Sequence, residues 1–272
     1  MKIRLKFRKY GVMKFVGHLD IMRFFQKAVR MAEIDICYSQ GFSPHPLMSF
    51  AAPLGVGLTS DGEYVDLDVH TLPSSGHILE AFQAVMPEGL EVTGCVQLDG
   101  KAKNAMSVVS AADYEIWYKP EYEMPPQLLD EKKLQQRLDA FFTKPQQIPV
   151  TKKTKKSEKV LDLKQLVYDF RILKPQEKYF NRSAFYLNVC TGSTDNLKPE
   201  LVLGAFFESF GLSYRPLEMQ IHRRDVYYTD TDGCRRPLLM AGKVITGEEK
   251  AGDDKTGDDK TGDDKTGDDK KD

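Results

Sequence analysis

The chain is short of the features that place a protein quickly. It has no run of 18 apolar residues, so no segment has the length to cross a bilayer as a helix. The basic opening Met1-Lys-Ile-Arg-Leu-Lys-Phe-Arg8 alternates like a strand and leads into no signal-peptide core. Four cysteines, Cys37, Cys95, Cys190 and Cys234, stand far apart with no C-x-x-C pair. That spacing argues against a zinc ribbon, a disulfide framework and the three-cysteine cluster motif of a radical enzyme. Gly55-Val-Gly57 is too short for a phosphate loop and lacks the following Lys-Ser/Thr. These absences lead us to expect a soluble, cytoplasmic protein with no membrane contact, no resident metal and no cofactor. The cysteines are expected to be small core hydrophobes, with Cys234 in a loop.

What is present is enough apolar material for one large or two small cores: 272 residues, 41% of them hydrophobic. A net charge of −1 hides an asymmetry. Residues 246–272 carry 6 Lys against 11 Asp plus Glu, which leaves the body with 33 basic and 29 acidic side chains, or +4. The tail is five pentads ending in repeated T-G-D-D-K, with a glycine in every unit and no apolar side chain larger than alanine. A period of five fits neither a helix nor a heptad, so residues 241–272 are expected to be disordered.

Periodicity organises the body. Ile3, Leu5 and Phe7 alternate with Lys2, Arg4, Lys6 and Arg8, the pattern of a half-buried strand. A helix over 18–33 follows, then a strand-like run over 47–58, a turn at Ser60-Asp61-Gly62, a strand over 63–70, a helix over 75–86 and a strand over 90–98. The order βαββαβ is the ferredoxin-like arrangement. A second set of strands and helices repeats the theme more loosely, with Pro199 opening a helix that ends near Gly211. The fold class expected is therefore α+β: two ferredoxin-like domains, 1–99 and an elaborated 113–240, joined by a linker over 100–112.

The most informative stretch is Tyr38-Ser-Gln-Gly-Phe-Ser-Pro-His-Pro46, read together with Gly17-His18-Leu19-Asp20. Pro44 and Pro46 fix their own φ and push Ser43 and His45 toward extended geometry, so His45 is held in one direction. With Phe15-Val-Gly-His-Leu-Asp-Ile-Met-Arg23, Gly62-Glu-Tyr-Val-Asp66 and Val160-Leu-Asp-Leu163, these motifs make the body, about 1–240, resemble the radical-SAM-linked protein family. That family is a bacterial domain of unknown function, encoded beside or fused to a B12-binding-type radical SAM protein. The resemblance implies a partner, the radical SAM protein encoded nearby, and an RNA-related context. It implies no particular chemistry.

Candidate substrate- or partner-binding residues are His18, Asp20, Arg23, Gln40, Phe42, His45 and Asp66. His18 and Asp20, two apart on a helix, point about 200° away from each other, a poor arrangement for a shared metal. Lys152, Lys153, Lys155 and Lys156 at a hairpin tip, with Arg223 and Arg224, are candidates for phosphate contact, set against a solvated turn that protects a sheet edge. On the first domain's central strands, Arg4 and Lys6 facing Tyr64, Asp66 and Asp68 would make a salt-bridged face instead of the aromatic base-stacking face of RNA-recognition modules. Three functions remain: a non-catalytic accessory module that presents RNA to a radical SAM enzyme, an independent nucleotide- or RNA-processing enzyme using His18 or His45 as general acid or base, and a structural protein that only scaffolds assembly.

Overall fold

The computed structural model describes residues 1–153, 158–192 and 195–247. Lys155, Lys156 and the pentads from residue 248 onward lie outside the described residues, as does the side chain of Lys153.

The first strand, β1 (Lys2–Lys9), forms as its alternation requires, with Ile3, Leu5 and Phe7 buried on one face. Helix α1 (His18–Met31) buries Ile21, Phe25, Ala28 and Val29, a spacing that lines one helical face. Strands β2 (Met48–Phe50) and β3 (Thr59–Asp68), helix α2 (Ser75–Gln83) and strand β4 (Leu90–Leu98) follow. Ser74 caps α2 by accepting a 3.0 Å hydrogen bond from the His77 amide. The strands pair antiparallel in the order β4-β1-β3-β2, and the rings of Phe7, Phe25 and Phe82 stack beneath them at 4.8 and 6.3 Å.

The rest of the chain contributes α3 (Ala105–Val108), β5 (Val109–Tyr118), α4 (Glu131–Thr143), β6 (Pro149–Lys153) and β7 (Glu158–Asp162). It continues with α5 (Leu163–Leu166), β8 (Val167–Gln176), β9 (Arg182–Cys190), α6 (Pro199–Glu208), β10 (Met219–Thr229) and β11 (Arg235–Pro237). The order β10-β5-β9-β8 is again antiparallel throughout, while β6 and β7 form a separate hairpin. Helices α4 and α6 share one core with the inward residues Ile116, Phe185 and Leu187. The fold is mixed, with few helices on a large, mostly antiparallel sheet. Among the described residues no helix is long and apolar enough to cross a membrane.

Four sequence expectations are corrected. The run over 47–58 holds only the three residues of β2, because Pro53 offers no N–H and Gly57 adopts φ of +88°. Ser60-Asp61-Gly62 is no turn but part of β3. Residues 109–112, in the segment read as a linker, already belong to β5. Residues 241–247, read as the start of a disordered tail, lie on the sheet: Lys243 exchanges backbone hydrogen bonds of 2.8 and 2.9 Å with Gln97, and Ile245 accepts one of 2.9 Å from Ser75.

Gly62 marks the place where the two half-sheets fuse. There β3 and β10 run parallel through the pairs Thr59↔His222 and Ser60↔Arg223, joining nine strands into one sheet. A Cβ on Gly62 would lie 2.5 Å from Asp225 Cα and 2.7 Å from the Arg224 carbonyl oxygen, both backbone atoms that cannot swing aside. Gly62→Ala is therefore expected to destabilise the chain by about 1–3 kcal/mol in urea unfolding, as overpacking does. Gly55→Ala, whose Cβ would meet only Leu58 at 3.6 Å, is the near-neutral control. Equal midpoints for the two variants would refute a tight seam.

Candidate functional site

His18 opens α1, half-buried, with its ring edge-on to Phe50 at 5.3 Å. It borders a cavity of ≈ 20 Å³ lined also by Phe7, Lys9, Ile21 and Glu63, room for about one water. Asp20 sits in the exposed first turn, where a carboxylate favours the helix N-terminus, and pairs with Arg23 at 3.0 Å. Both roles belong to the helix itself.

The loop 38–46 is a braced hairpin. Tyr38 and Pro46 form an isolated bridge, the Ser39 amide donates to the His45 carbonyl at 2.9 Å, and the His45 amide donates to Ser39 Oγ at 3.1 Å. Ser39 Oγ also lies 2.8 Å from His45 Nδ1, which fixes the ring. At the tip Gly41 takes φ of +115°, a conformation that favours glycine, and the Phe42 side chain stands fully in solvent. Gln40 and His45 are exposed beside it. Among the described residues no hydrogen bond or ion pair joins His18, Asp20 or Arg23 to Gln40 or His45.

Asp66 and Arg223, read from the sequence as contact residues, are instead committed to the interior. Asp66 grips Arg4 through two hydrogen bonds of 2.7 and 3.0 Å and accepts a third, 2.7 Å, from the Ala105 amide. Arg4 in turn donates to the Leu238 carbonyl at 3.2 Å. The polar face expected on β1 and β3 is thus present but sealed, beneath α3 and the short turn Leu238–Ala241. Arg223 pairs with Glu63, its Nε 2.8 Å from Oε1, and donates to the Ala52 carbonyl at 2.6 Å. Arg224 remains more than half exposed, 3.5 Å from Glu115.

Around Glu63 lies a charged cluster that motif reading missed. Lys9 is buried and donates to the Val16 carbonyl at 2.7 Å, just ahead of His18. Burial pushes the Lys9 pKa down against the pull of Glu63, and the same two effects act on His18 with burial again the stronger. The signal was present in the strands: Lys9 continues the inward series Ile3-Leu5-Phe7, and Glu63 begins the inward series Val65-Leu67-Val69. On the far side of the 52–55 segment, Arg223 also lines a cavity of ≈ 280 Å³ with Tyr114, Lys198 and Glu200.

The hairpin lysines are partly spoken for. Lys152 donates to the Asn196 carbonyl at 2.7 Å and Lys159 pairs with Asp195 at 2.5 Å. Asp162, from the fourth motif, caps α5 and holds the Ile148 amide at 3.0 Å. Among the described residues no three His, Cys, Asp or Glu side chains gather closely enough to hold a metal.

Because the folded state lowers the His18 pKa, unfolded chains bind its proton more readily. Stability is therefore expected to fall as pH drops below about 6.5, the ordinary histidine value, toward the lowered one. NMR titration of the imidazole checks this, and a His18 pKa at or above the ordinary value would contradict the buried setting.

No curated protein matches the chain in sequence. A family model for uncharacterized proteins conserved in bacteria, DUF2344, matches residues 2–199. The match runs from β1 to the first residue of α6 and takes in all four motifs, and the chain therefore belongs to the DUF2344 family of uncharacterized bacterial proteins.

Proposed function

We propose that the chain is a binding and presenting module made of two ferredoxin-like halves, an accessory protein that holds an RNA substrate for a radical SAM enzyme. The two-half reading is supported by the strand order: numbered within its own half, each sheet runs 4-1-3-2 with antiparallel neighbours.

The observation that carries the function is the Phe42 loop. A large apolar side chain held fully in solvent on a hairpin stiffened by two prolines and the Ser39–His45 contacts suits docking of a macromolecule. An acid–base catalyst needs its groups to converge on a substrate, and His18 instead faces a one-water cavity while His45 sits on the outer loop. The lysine-rich run with Lys152, Lys153, Lys155 and Lys156 adds electrostatic grip in this reading.

Anaerobic affinity purification of the tagged chain from its native cells, followed by mass spectrometry and RNA sequencing, is expected to recover a radical SAM protein and a defined RNA. A Phe42→Ala, His45→Ala double variant is expected to lose at least about tenfold of that recovery, the loss of one interface anchor. Its unfolding midpoint should change little, because both side chains are exposed and the Ser39–His45 bonds made through the backbone remain. Recovery of neither component by the unaltered chain would overturn the proposal.

A further inference from the structure

We propose that the helix-free face of β10-β5-β9-β8 is a stacking platform for single-stranded nucleic acid, with the partly exposed Trp117 and Tyr186 as the base-contacting rings. The proposal deepens the RNA reading above and rests on it for the identity of the strand.

The face follows from strand alternation. On β5, Ala112, Tyr114 and Ile116 point into the core, which turns Asp113, Glu115 and Trp117 outward. On β9, Phe185, Leu187 and Val189 point inward and leave Tyr186 and Asn188 outward. Helices α4 and α6 pack with the inward set, so neither covers the outward one. The segment that seals the first half leaves β10 after pairing with residues 227–229 and runs beside Gly94 and Gln97 of β4. One face of the sheet is thus closed over the first half, whereas over the second Trp117, Tyr186 and Arg171 stay partly exposed between the buried Asp113, Glu115 and Asn188.

β5 and β9 are the two middle strands of their half. On sheets of this strand order, RNA-recognition modules place their stacking aromatics on the two middle strands. The first half has no such rings exposed, whereas here each middle strand carries one. Trp117 lies 5.5 Å from the Tyr179 ring and 6.3 Å from His222, an aromatic cluster in which Tyr179 is buried and Trp117 and His222 are partly exposed. Tyr186 is held by its hydroxyl, which donates to Asp113 at 3.2 Å, and the Arg171 guanidinium lies 4.4 Å from its ring centre. Arg171 is 60% exposed, so a base can enter between guanidinium and ring or take the guanidinium's place.

A second observation points to a ligand. Asn188, the next outward residue after Tyr186, is 91% buried, and its Oδ1 accepts no hydrogen bond. A buried acceptor left without a partner costs free energy; the Oδ1 is closed off from solvent, so a base whose amino or imino N–H is to supply the missing donor must first displace the side chains around it. Charge plays the smaller part. Arg224 and Lys178 share Glu115 at 3.5 and 2.9 Å, so the rim offers cations already half-compensated. Stacking should dominate, with a salt slope of about −2 for three phosphate contacts on a single strand.

Trp117 is the chain's one tryptophan, so its emission reports the platform directly. The full chain is titrated with fluorescein-labelled octamers of single-stranded RNA, single-stranded DNA and duplex RNA, reading anisotropy, and with unlabelled ones, reading emission. Single-stranded RNA is expected to bind and quench Trp117 while the duplex does neither. Tyr186→Leu is expected to weaken binding about tenfold, the loss of one stacked base. Arg171→Gln, at an exposed site that leaves folding intact, is expected to weaken it about threefold. RNA binding without quenching and with unchanged Tyr186→Leu affinity would overturn the platform and leave the RNA reading standing. No binding by any strand would overturn both. Quenching without recovery of a radical SAM protein from cells would keep the platform and overturn the accessory reading. Equal binding of DNA and RNA would keep the platform and remove the RNA assignment.

Discussion

The structure depends on one buried ion pair. Two half-sheets meet through only two residue pairs of β3 and β10, too few backbone contacts to hold them. Glu63 and Arg223 close the join from the helix side, where both are almost wholly buried and Ala52 takes a further guanidinium proton. On the other side Asp225 accepts from Tyr64 at 2.5 Å and from Lys6 at 2.6 Å. Burying charge is costly, and the pair is tolerated only because each partner satisfies the other; removing one partner of such a pair costs about 3–5 kcal/mol. Gly62 is the steric counterpart, since no side chain fits where the backbones cross.

Once the halves share a sheet, its two faces have different fates. One carries all the larger helices and the apolar cores. The opposite face is closed over the first half, where Arg4 and Asp66 reach out to Leu238 and Ala105 and tie the returning chain down. Over the second half the buried carboxylate of Asp113 is satisfied within the sheet by the Asp225 amide and the Tyr186 hydroxyl, and Trp117, Tyr186 and Arg171 remain partly exposed. The difference is chemical: the buried carboxylate on β3 recruits the Ala105 amide from outside the sheet, whereas Asp113 on β5 is satisfied by its strand neighbours.

Much of this was legible in the chain. The alternation in β1, the helical face of α1 and the proline that opens α6 all fold as their periods and caps dictate. The misreadings share a cause, since each concerned a residue whose role is set by a distant partner. Ser60-Asp61-Gly62 looks like a turn locally, and becomes strand because β10 arrives from more than 160 residues away. Asp66 and Arg223 carry the charge of a contact residue, and only the fold shows that their partners are internal. The motif histidines stand out in the sequence, but spacing alone did not tell that they lie in separate places. The aromatics of the second half went unnoticed because Trp117 and Tyr186 are 69 residues apart in sequence and reach one face only through the pairing of β5 with β9, which sets Tyr186 opposite Glu115, two residues before Trp117.

Hydroxyl-radical footprinting, read by mass spectrometry with and without a saturating single-stranded RNA octamer, tests the division of the sheet most directly. In the free protein Trp117 and Tyr186 should oxidise while Tyr64, on the sealed part of the same face, should not. The oligonucleotide should then protect Trp117 and Tyr186 and leave Tyr64 unchanged. Oxidation of Tyr64 as fast as Tyr186, or no protection of either open-face ring at saturation, would contradict a sheet with one sealed and one ligand-bearing half.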